Sequence, residues 1–386
     1  MLTVRLLHTS DWHLGKRLHG VELLDYQAAF VDWLVEVVRS EQVDAVIVAG
    51  DLYDRSNPAV DAIRLFDDAV HRLASTNVPL VMISGNHDSP TRVGTHAGLL
   101  KALNVHVATD PSAIGTPVVL SDDHGEVVIY GLPYLDPIDS QKKLEAVSAT
   151  HTDVINSAMA RVRADLAGRA EPRSVVVAHA FVAGGSTSDS ERDLTIGGAA
   201  SVPVSAFEGI SYTALGHLHG PQTMAGTVRY SGSPLAYSFS EETHRKSVSI
   251  VDLGGDGGVT ITEIPTPVVR RLVTIEGTLE QLIDDPQHED VKDAWVRALV
   301  TDTIIPSGPM DRLRTRFPHA IALEHRPAQT SALPPDDRGT RIKGLTPFET
   351  IVEFYREQVG DDPSAEEFAV LTTAVDASRS TGASDE

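Results

Sequence analysis

A repeated order of apolar run, polar residues and helical spacing constrains the fold of this chain most. Residues 78–83 form an apolar run typical of a buried parallel strand, and Gly-Asn-His-Asp at 85–88 follows it directly. Apolar runs at 4–8 and 44–49 are followed by polar residues in the same way. Ligands bind at the carboxyl edge of such sheets. The order therefore predicts a βαβ pattern with a functional site where its strands end.

Two segments between these runs have the spacing of helices. Apolar residues recur at helical intervals in 24–38, which predicts an amphipathic helix. Asn57 and Pro58 combine a capping residue with proline at the first helical position. We therefore expect the second helix to start there and to cover 59–73.

The second half of the chain keeps strand-like runs but orders them differently. We expect strands at 117–120, 126–133, 174–179, 227–231, 247–253 and 259–264. A helix is expected at 156–166, and the loop 184–198, rich in Gly, Ser, Thr and acidic residues, should be mobile and exposed. With the first half, these elements predict an α/β class fold, a layered α/β/β/α sandwich that is partly antiparallel in its second half.

Prolines at 265 and 267 indicate a domain boundary. The three parts that we expect are the sandwich at 1–266, a smaller α+β cap at 267–333, and a linker, helical segment and tail at 334–386. In the cap, strands are expected at 270–275 and 296–300 and helices at 279–283 and 310–316. Beyond it, 333–337 is typical of a linker, 347–358 has helical spacing, and 374–386 should be disordered.

Composition limits the functions open to the chain. Because there is no cysteine, disulfides and thiolate metal sites are excluded, and any metal must be held by His, Asp, Glu or Asn. The first residues lack a secretory apolar segment, and no stretch approaches the roughly 20 apolar residues of a membrane span. We therefore expect a cytoplasmic protein with no membrane partner. The formal net charge of −22 argues against nucleic-acid binding by the chain alone.

Five motifs at expected strand ends carry the residues of a metal site. They are Asp11-Trp12-His13, Gly50-Asp51 with Asp54, Gly85-Asn86-His87-Asp88, Ala178-His179 and Gly216-His217-Leu218-His219. Nitrogen and oxygen ligands without sulfur suit a pair of borderline metals such as Mn²⁺, Fe²⁺ or Zn²⁺. Two cations about 3.5 to 4 Å apart need a shared carboxylate, and Asp51 is suited to that role. Asn86 can bind through its amide oxygen, which leaves His87 for proton transfer, a role that suits histidine because its reference pKa is near 6.5.

These motifs resemble those of the calcineurin-like metallophosphoesterases over 11–219, in the family's order. More narrowly, 8–15, 50–54, 85–89, 216–222 and 231–234 are similar to the SbcD-type nuclease subunits of bacteria. The resemblance implies two divalent metal ions, Mn²⁺ first, with Fe²⁺, Zn²⁺ or Mg²⁺ as alternatives. It assigns one ion to Asp11, His13, Asp51 and His219. It assigns the other ion to Asp51, Asn86, His179 and His217.

The resemblance also implies roles beyond the metal ligands. His87 would orient the scissile phosphate and protonate the leaving oxygen. At Asp54 the sequence departs from relatives that often carry a second proton-handling histidine there. We therefore expect Asp54 to orient a metal-bound histidine instead.

Partner contacts are implied in the C-terminal part of the chain. The resemblance implies a homodimer, a cap that touches DNA, and a terminal segment that binds an SbcC-type coiled-coil ATPase. Candidates for DNA contact, or alternatively for a solvated helix surface, are Arg312, Arg314 and Arg316. Candidates for docking on the ATPase, or alternatively for packing on their own domain, are Phe348, Ile351, Val352, Phe354 and Tyr355.

The resemblance favours a DNA exonuclease and endonuclease in which metal-activated water attacks the phosphodiester in line. Such an enzyme would act with the ATPase on duplex ends, hairpins and single strands in DNA replication, repair and recombination. Two alternatives stay open. The same metal site could serve a phosphatase or a cyclic nucleotide phosphodiesterase, or the chain could be a non-catalytic dimeric adaptor for the ATPase.

Overall fold

The computed structural model describes residues 3–191, 201–267, 270–327, 345–359 and 361–381. Contacts divide the chain into two units, Met1–Leu272 and Val273–Glu386, which are described one at a time. The divisions that we expect from the sequence, after residues 266 and 333, stay predictions.

The first unit contains two six-stranded sheets. In spatial order, the first sheet consists of Val259–Pro265 (β14), Ser247–Gly254 (β13), Thr3–Thr9 (β1), Ala45–Ala49 (β4), Leu80–Ile83 (β5) and Val105–Ala108 (β6). Strands β1, β4, β5 and β6 run parallel to one another, whereas β13 is antiparallel to its two neighbours, β1 and β14. The parallel part is the βαβ pattern expected from the sequence.

The second sheet has a parallel centre with an antiparallel pair at each edge. In spatial order it consists of Gln222–Ala225 (β11), Val228–Tyr230 (β12), Tyr212–Gly216 (β10), Arg173–His179 (β9), Gly125–Leu132 (β8) and Val118–Asp122 (β7). The antiparallel pairs are β11 with β12 and β7 with β8. The edge strand β11 was not expected from the sequence.

Helices and apolar layers complete the sandwich. The helices are Leu24–Ser40 (α1), Val60–Ala74 (α2), Pro90–Val93 (α3), Ala97–Leu100 (α4), Pro137–Leu144 (α5) and His151–Leu166 (α6), and a small hairpin joins Arg17–Leu18 (β2) to Val21–Glu22 (β3). α1 and α2 pack on the first sheet, α5 and α6 pack on the second, and a third apolar layer lies between the sheets. This α/β/β/α arrangement confirms the predicted fold class.

The second helix starts later than the sequence indicates. α2 begins at Val60 after the extended residue Ala59, and no side chain caps its first turn. Asn57, the expected cap, instead accepts a hydrogen bond from the Arg92 guanidinium at 3.1 Å. The prediction of a cap at Asn57 is wrong because that side chain has a partner on another element.

The second unit contains a three-stranded sheet of Leu272–Gly277 (β15), Trp295–Val300 (β16) and Ala320–His325 (β17). Helices Leu279–Asp284 (α7) and Pro309–Arg316 (α8) pack on it through a core that includes Leu282, Leu313 and Phe317. The sequence pattern predicted the two helices and two of the strands but not β17.

Two further helices, Pro347–Val359 (α9) and Ala365–Thr381 (α10), end the described part of this unit. The rings of Phe348 and Phe368 lie edge to face, 4.9 Å between centroids, and Val352 and Val375 are buried. The expectation of disorder from residue 374 is therefore wrong as far as Thr381, because α10 packs on α9.

Several expectations fall on residues outside the described ranges. These are the end of the loop at 192–198, the linker at 333–337 and the last residues at 382–386. Among the helices of the described ranges, none is long and apolar enough to cross a membrane.

Candidate metal centre

Side chains at the carboxyl ends of strands from both sheets converge on one site. The converging residues are Asp11, His13, Asp51, Asn86, His87, His179, His217 and His219, all buried except the half-buried Asn86. Among the described residues, ligand atoms lie within 4.8 Å of one another in three groups: Asp11, His13 and His219; Asp11, Asp51 and His179; and His13, Asp54 and His87. The structure thus brings together every residue that we expect to hold a metal.

His179 presents one nitrogen to the site. Its Nδ1 lies 2.9 Å from the Ala49 carbonyl oxygen, and a carbonyl can only accept, so Nδ1 carries the proton. In the neutral ring, Nε2 is then an acceptor, and it lies 2.8 Å from Asn86 Oδ1. Two acceptor atoms at this separation, with no proton between them, are the arrangement that a shared cation stabilises.

His219 presents Nε2 to the other side of the site. That atom lies 3.1 Å from His13 Nε2. The other ring nitrogen, Nδ1, lies 2.6 Å from Ser190 Oγ and 3.4 Å from Glu241 Oε1. A carboxylate beside Nδ1 favours the tautomer in which Nδ1 is protonated and Nε2 faces the site.

Asp51 lies between the two sides. Its Oδ1 accepts a hydrogen bond from the His87 backbone N–H at 2.9 Å. Its Oδ2 is 3.5 Å from His13 Nε2 and also 3.5 Å from His179 Nε2. The position of Oδ2 suits a carboxylate that bridges two cations.

Burial sets the protonation of the ligands. Burial lowers the pKa of His179 and His219 to about 4. It also lowers the pKa of His13 and His217 well below the ordinary value of a histidine. Burial and the neighbouring Asp51 carboxylate raise the pKa of Asp11. Neutral imidazoles are the form that binds metal, and buried carboxylates in close proximity are stabilised by cations. The donor set therefore fits a pair of divalent cations.

The backbone at four of these residues is left-handed. The φ angles are +54° at Asp11, +44° at His13, +50° at Asp51 and +110° at His217. Such conformations cost residues other than glycine about 1–3 kcal/mol each and cluster at functional sites. Hydrogen bonds hold them in place, since the N–H of Asp11 donates to Gly50 O at 3.0 Å and that of His13 donates to Asp51 O at 2.9 Å.

Two glycines allow the strand ends to approach each other. A Cβ on Gly85 would lie 2.1 Å from Asp51 Oδ1, and a Cβ on Gly216 would lie 1.9 Å from the Ala49 carbonyl oxygen. Space for neighbouring atoms, and not a positive φ, is what requires glycine at these two positions.

His87 is oriented by a main-chain carbonyl. Its Nδ1 lies 2.8 Å from the Asp54 carbonyl oxygen, so Nδ1 is the donor, and its Nε2 lies 4.0 Å from Asp51 Oδ2. The Asp54 carboxylate has a different partner: Lys16 Nζ donates to it at 2.8 Å. It stays 3.8 Å from His13 Nδ1, beyond hydrogen-bonding distance. Asp54 thus contacts His87 through its main chain, and the role expected for its carboxylate, to orient a metal-bound histidine, stays a prediction.

Sequence reasoning gave no role to Asp88 or Gln27. The Asp88 carboxylate accepts hydrogen bonds from the backbone N–H groups of Leu52, Tyr53 and Gly85 at 2.8 to 3.0 Å, which joins the loops after β4 and β5. Gln27 Nε2 donates to the His13 carbonyl oxygen at 2.8 Å. Gln27 lies on the apolar stripe of α1, and a polar residue in that position was the available signal.

The arginines of α8 that are candidates for DNA contact differ in their partners. The Arg316 guanidinium donates to the carbonyl oxygens of Ile283 and Asp285, and Arg314 Nε donates to that of Ala320 at 3.1 Å. Arg312 is exposed. Arg316 is therefore bonded within this unit, whereas Arg312 is exposed, and DNA contact by these arginines stays a prediction.

Comparison with known families identifies the first unit. Residues 4–221 match the family model of the calcineurin-like phosphoesterases, which is more than half of the chain, and the chain belongs to this family. Family membership and the His and Asp clusters support a metal-dependent phosphoesterase with a dinuclear divalent site.

The second unit matches a different family model. Residues 268–359 match the model SbcD_C, described as the type 5 capsule protein repressor C-terminal domain. A calcineurin-like phosphoesterase region followed by this C-terminal region supports an SbcD-like subunit.

Two solved structures show low similarity to the chain. TT1561 of Thermus thermophilus is 14% identical with a TM-score of 0.40, covering 68% of this chain and 99% of that chain. A dimetal phosphatase from Danio rerio is 13% identical with a TM-score of 0.39, covering 68% of this chain and 99% of that chain.

Proposed function

We propose that this chain is a DNA nuclease that hydrolyses phosphodiester bonds in exonuclease and endonuclease modes, together with an SbcC-type ATPase. The position of Asp51 Oδ2 carries the proposal: it lies 3.5 Å from a histidine of each ligand set, and His87 Nε2 is 4.0 Å away. A shared carboxylate beside a histidine suits phosphoester hydrolysis. The match of residues 268–359 to SbcD_C supports DNA as the substrate.

The chain would hold its two cations on the ligand sets described above. One set is Asp11, His13, Asp51 and His219, and the other is Asp51, Asn86, His179 and His217. Divalent cations bound there, with Mn²⁺ as the first candidate, would stabilise the charge on the phosphate and acidify the attacking water. Asp51 would belong to both sets and so fix their positions relative to each other. The neutral Asn86 amide would contribute an oxygen without adding negative charge near an anionic substrate.

His87 would supply the proton for the leaving group. Because Nδ1 is committed to the Asp54 carbonyl, Nε2 is the nitrogen that faces the reacting phosphate. With its ring protonated on both nitrogens, His87 would pass the Nε2 proton to the departing oxygen as water attacks phosphorus and the P–O bond on the opposite side breaks. The attacking water would release its proton to solvent, and the ring, left with Nδ1–H, would regain a proton from solvent.

Surface residues supply candidate partner contacts. Arg312 is exposed and is a candidate for contact with DNA. Phe354 and Val370 are 62% and 68% exposed and are candidates for contact with the ATPase. Val60 and Leu99, 61% and 72% exposed, are candidates for a homodimer contact. A net charge of −22 makes strong DNA binding by the chain alone unfavourable, so we propose that the ATPase holds the duplex in the cytoplasm.

The test is cleavage of end-labelled duplex and hairpin DNA with Mn²⁺ by the wild type, His87→Ala and Asp51→Ala. We expect cleavage by the wild type and loss of cleavage in both variants. A wild type that binds Mn²⁺ but leaves DNA intact, with and without the ATPase, would overturn the proposal.

The acidic charge of the chain favours a second candidate, a phosphatase or cyclic nucleotide phosphodiesterase. Parallel assays with a phosphomonoester, a cyclic nucleotide and bis(p-nitrophenyl) phosphate separate the two. Turnover of these small esters alone would select the second candidate. Absence of all turnover, even with the ATPase, would select the non-catalytic adaptor.

A further inference from the structure

His219 is held by a group of buried polar residues that the proposed chemistry does not use. Glu241 and Lys246 form an ion pair whose side chains are 0% and 4% exposed. Ser190 Oγ donates to Glu241 Oε1 and lies 2.6 Å from His219 Nδ1. Since the serine hydroxyl donates to the carboxylate, it accepts from the imidazole, and a continuous path runs from Nδ1–H through Oγ–H to the carboxylate.

The same group fixes the main chain of His219. Lys246 Nζ donates to the His219 carbonyl oxygen at 2.8 Å and to Ser233 Oγ at 2.9 Å. From the other side, the His219 backbone N–H donates to Glu191 Oε1 at 2.6 Å. Ring, N–H and carbonyl of one residue are therefore each bound by a charged side chain, either directly or through one hydroxyl.

A buried ion pair is weak evidence of stabilisation, because removing two charges from water costs about as much as their attraction returns. A carboxylate behind a metal-binding imidazole has a specific effect instead. It fixes the ring tautomer and orientation and raises the basicity of the nitrogen that faces the metal. The pair thus has a chemical reason to lie here, and the ion pair with Lys246 holds the Glu241 side chain in position beside His219.

We propose that Glu241 is a positioning residue that acts through Ser190 to hold His219 with Nδ1 protonated and Nε2 directed at the metal, and that Lys246 keeps it in place. The inference rests on the metal centre of the proposed function but not on DNA as the substrate. The inference applies to the ion assigned to His13 and His219. It does not apply to the ion assigned to His179, because the Nδ1–H of that residue is held by a main-chain carbonyl and not by a carboxylate.

The test is Mn²⁺ binding by the full chain, measured by isothermal titration calorimetry. Glu241→Gln alone would leave Lys246 as a buried unpaired charge, so the main variant is Glu241→Gln with Lys246→Met, which keeps the volume and removes both charges. We expect one of two ions to bind about 10- to 100-fold more weakly and the other to bind as in the wild type. The matched control is Arg229→Met with Glu263→Gln, which removes another ion pair of this unit that does not contact His219.

A second readout does not depend on metal. In the metal-free protein, long-range ¹H–¹⁵N spectra of the imidazole rings report which nitrogen of His219 is protonated. The wild type should show Nδ1–H, while the double variant and Ser190→Ala should show an increased share of Nε2–H. His179 should keep Nδ1–H in every variant.

Three results would overturn the inference. The first is a folded double variant that binds both Mn²⁺ ions with wild-type affinity. The second is a double variant in which the affinity for both ions falls equally. The third is a double variant in which His219 keeps the wild-type tautomer. A wild type that binds two Mn²⁺ ions but does not cleave DNA would reject the nuclease proposal and leave this inference standing. A wild type that binds no divalent ion would reject both.

Discussion

His179 and His219 have matching places on opposite sides of the site but are held by different means. His179 donates its Nδ1–H to the carbonyl of Ala49, the last residue of β4, at 2.9 Å. His219 has its Nδ1 against a serine hydroxyl and a carboxylate. One histidine is thus fixed by the sheet itself, and the other by side chains that a single substitution can remove. The two sides of the metal centre should therefore differ in how easily substitution alters them.

The largest effect should come from Asp51, which belongs to both sides. Because its Oδ2 lies 3.5 Å from a histidine of each ligand set, Asp51→Ala should abolish binding of both Mn²⁺ ions and all turnover. Equilibrium dialysis with Mn²⁺ measures this directly. Asp67→Ala, which removes an exposed carboxylate of α2, is the control. If the Asp51 variant still bound two ions at wild-type affinity, the bridging assignment would be wrong.

The next effect should come from Gly216, which affects the side held by the sheet. A Cβ there would lie 1.9 Å from Ala49 O and 3.0 Å from His179 Nδ1. Gly216→Ala should lower the free energy of unfolding by about 1–3 kcal/mol, the range for an overpacked core, and weaken the ion beside His179 more than the other. Urea unfolding and Mn²⁺ titration measure the two quantities.

Gly98→Ala provides the control for this substitution, since a Cβ on Gly98 would meet nothing within 4 Å. Its unfolding free energy should stay close to that of the wild type. Equal weakening of the two ions in Gly216→Ala would remove the distinction between the two sides.

His87 is also held by a carbonyl, yet we assign it to proton transfer and not to metal binding. His87→Ala should keep both Mn²⁺ ions and lower kcat on DNA by about 10²–10⁴-fold. The loss should be much smaller with bis(p-nitrophenyl) phosphate, whose leaving group departs readily without a proton. Comparing kcat for the two substrates therefore separates proton donation from phosphate orientation. A similar loss on both substrates would contradict the role as proton donor.

The smallest effect on metal binding should come from His8, a buried histidine outside both ligand sets whose two ring nitrogens are bonded. Nδ1 lies 2.8 Å from the Tyr212 hydroxyl and Nε2 lies 3.2 Å from Leu215 O. Burial lowers the pKa of His8 to about 3, against about 6.5 in an unfolded chain. Between these values the unfolded state takes up a proton that the folded state does not, so stability falls as pH falls below about 6.5, by up to about 1.4 kcal/mol per pH unit.

His8→Gln should remove that contribution from metal-free protein. Its unfolding free energy will start lower at pH 7, because an uncharged side chain of different shape fills the site, but it should decline less steeply between pH 6 and pH 4. Urea unfolding at several pH values measures the slope. Parallel curves for the wild type and the variant would show that His8 does not contribute to the pH dependence.

The sequence predicted most strands of the two large sheets, and the strand ends where the candidate ligands lie, because these depend on local pattern. A buried run with Asn86 and His87 after its end is readable without knowing the rest of the fold. Glu241 and Lys246 could not be found in this way. They do not lie at a strand end, and their importance comes from contact with His219 after the chain has folded.

The wrong start of the second helix has a similar origin. Asn57 has the chemistry of a helix cap, but in the structure its side chain accepts a hydrogen bond from Arg92 on another element. A partner distant in sequence thus decides between two roles that the local sequence allows equally.

The ligands that meet at this centre are made at very different times during synthesis. His179 follows Asn86 by 93 residues, and the His217 N–H donates to Asp11 across 206 residues. The first sheet is itself incomplete until β13 pairs with β1 and β14, which ends at Pro265, pairs with β13. A growing chain therefore carries its first ligands long before its last, and no hydrolytic centre can form until nearly the whole first unit has left the ribosome.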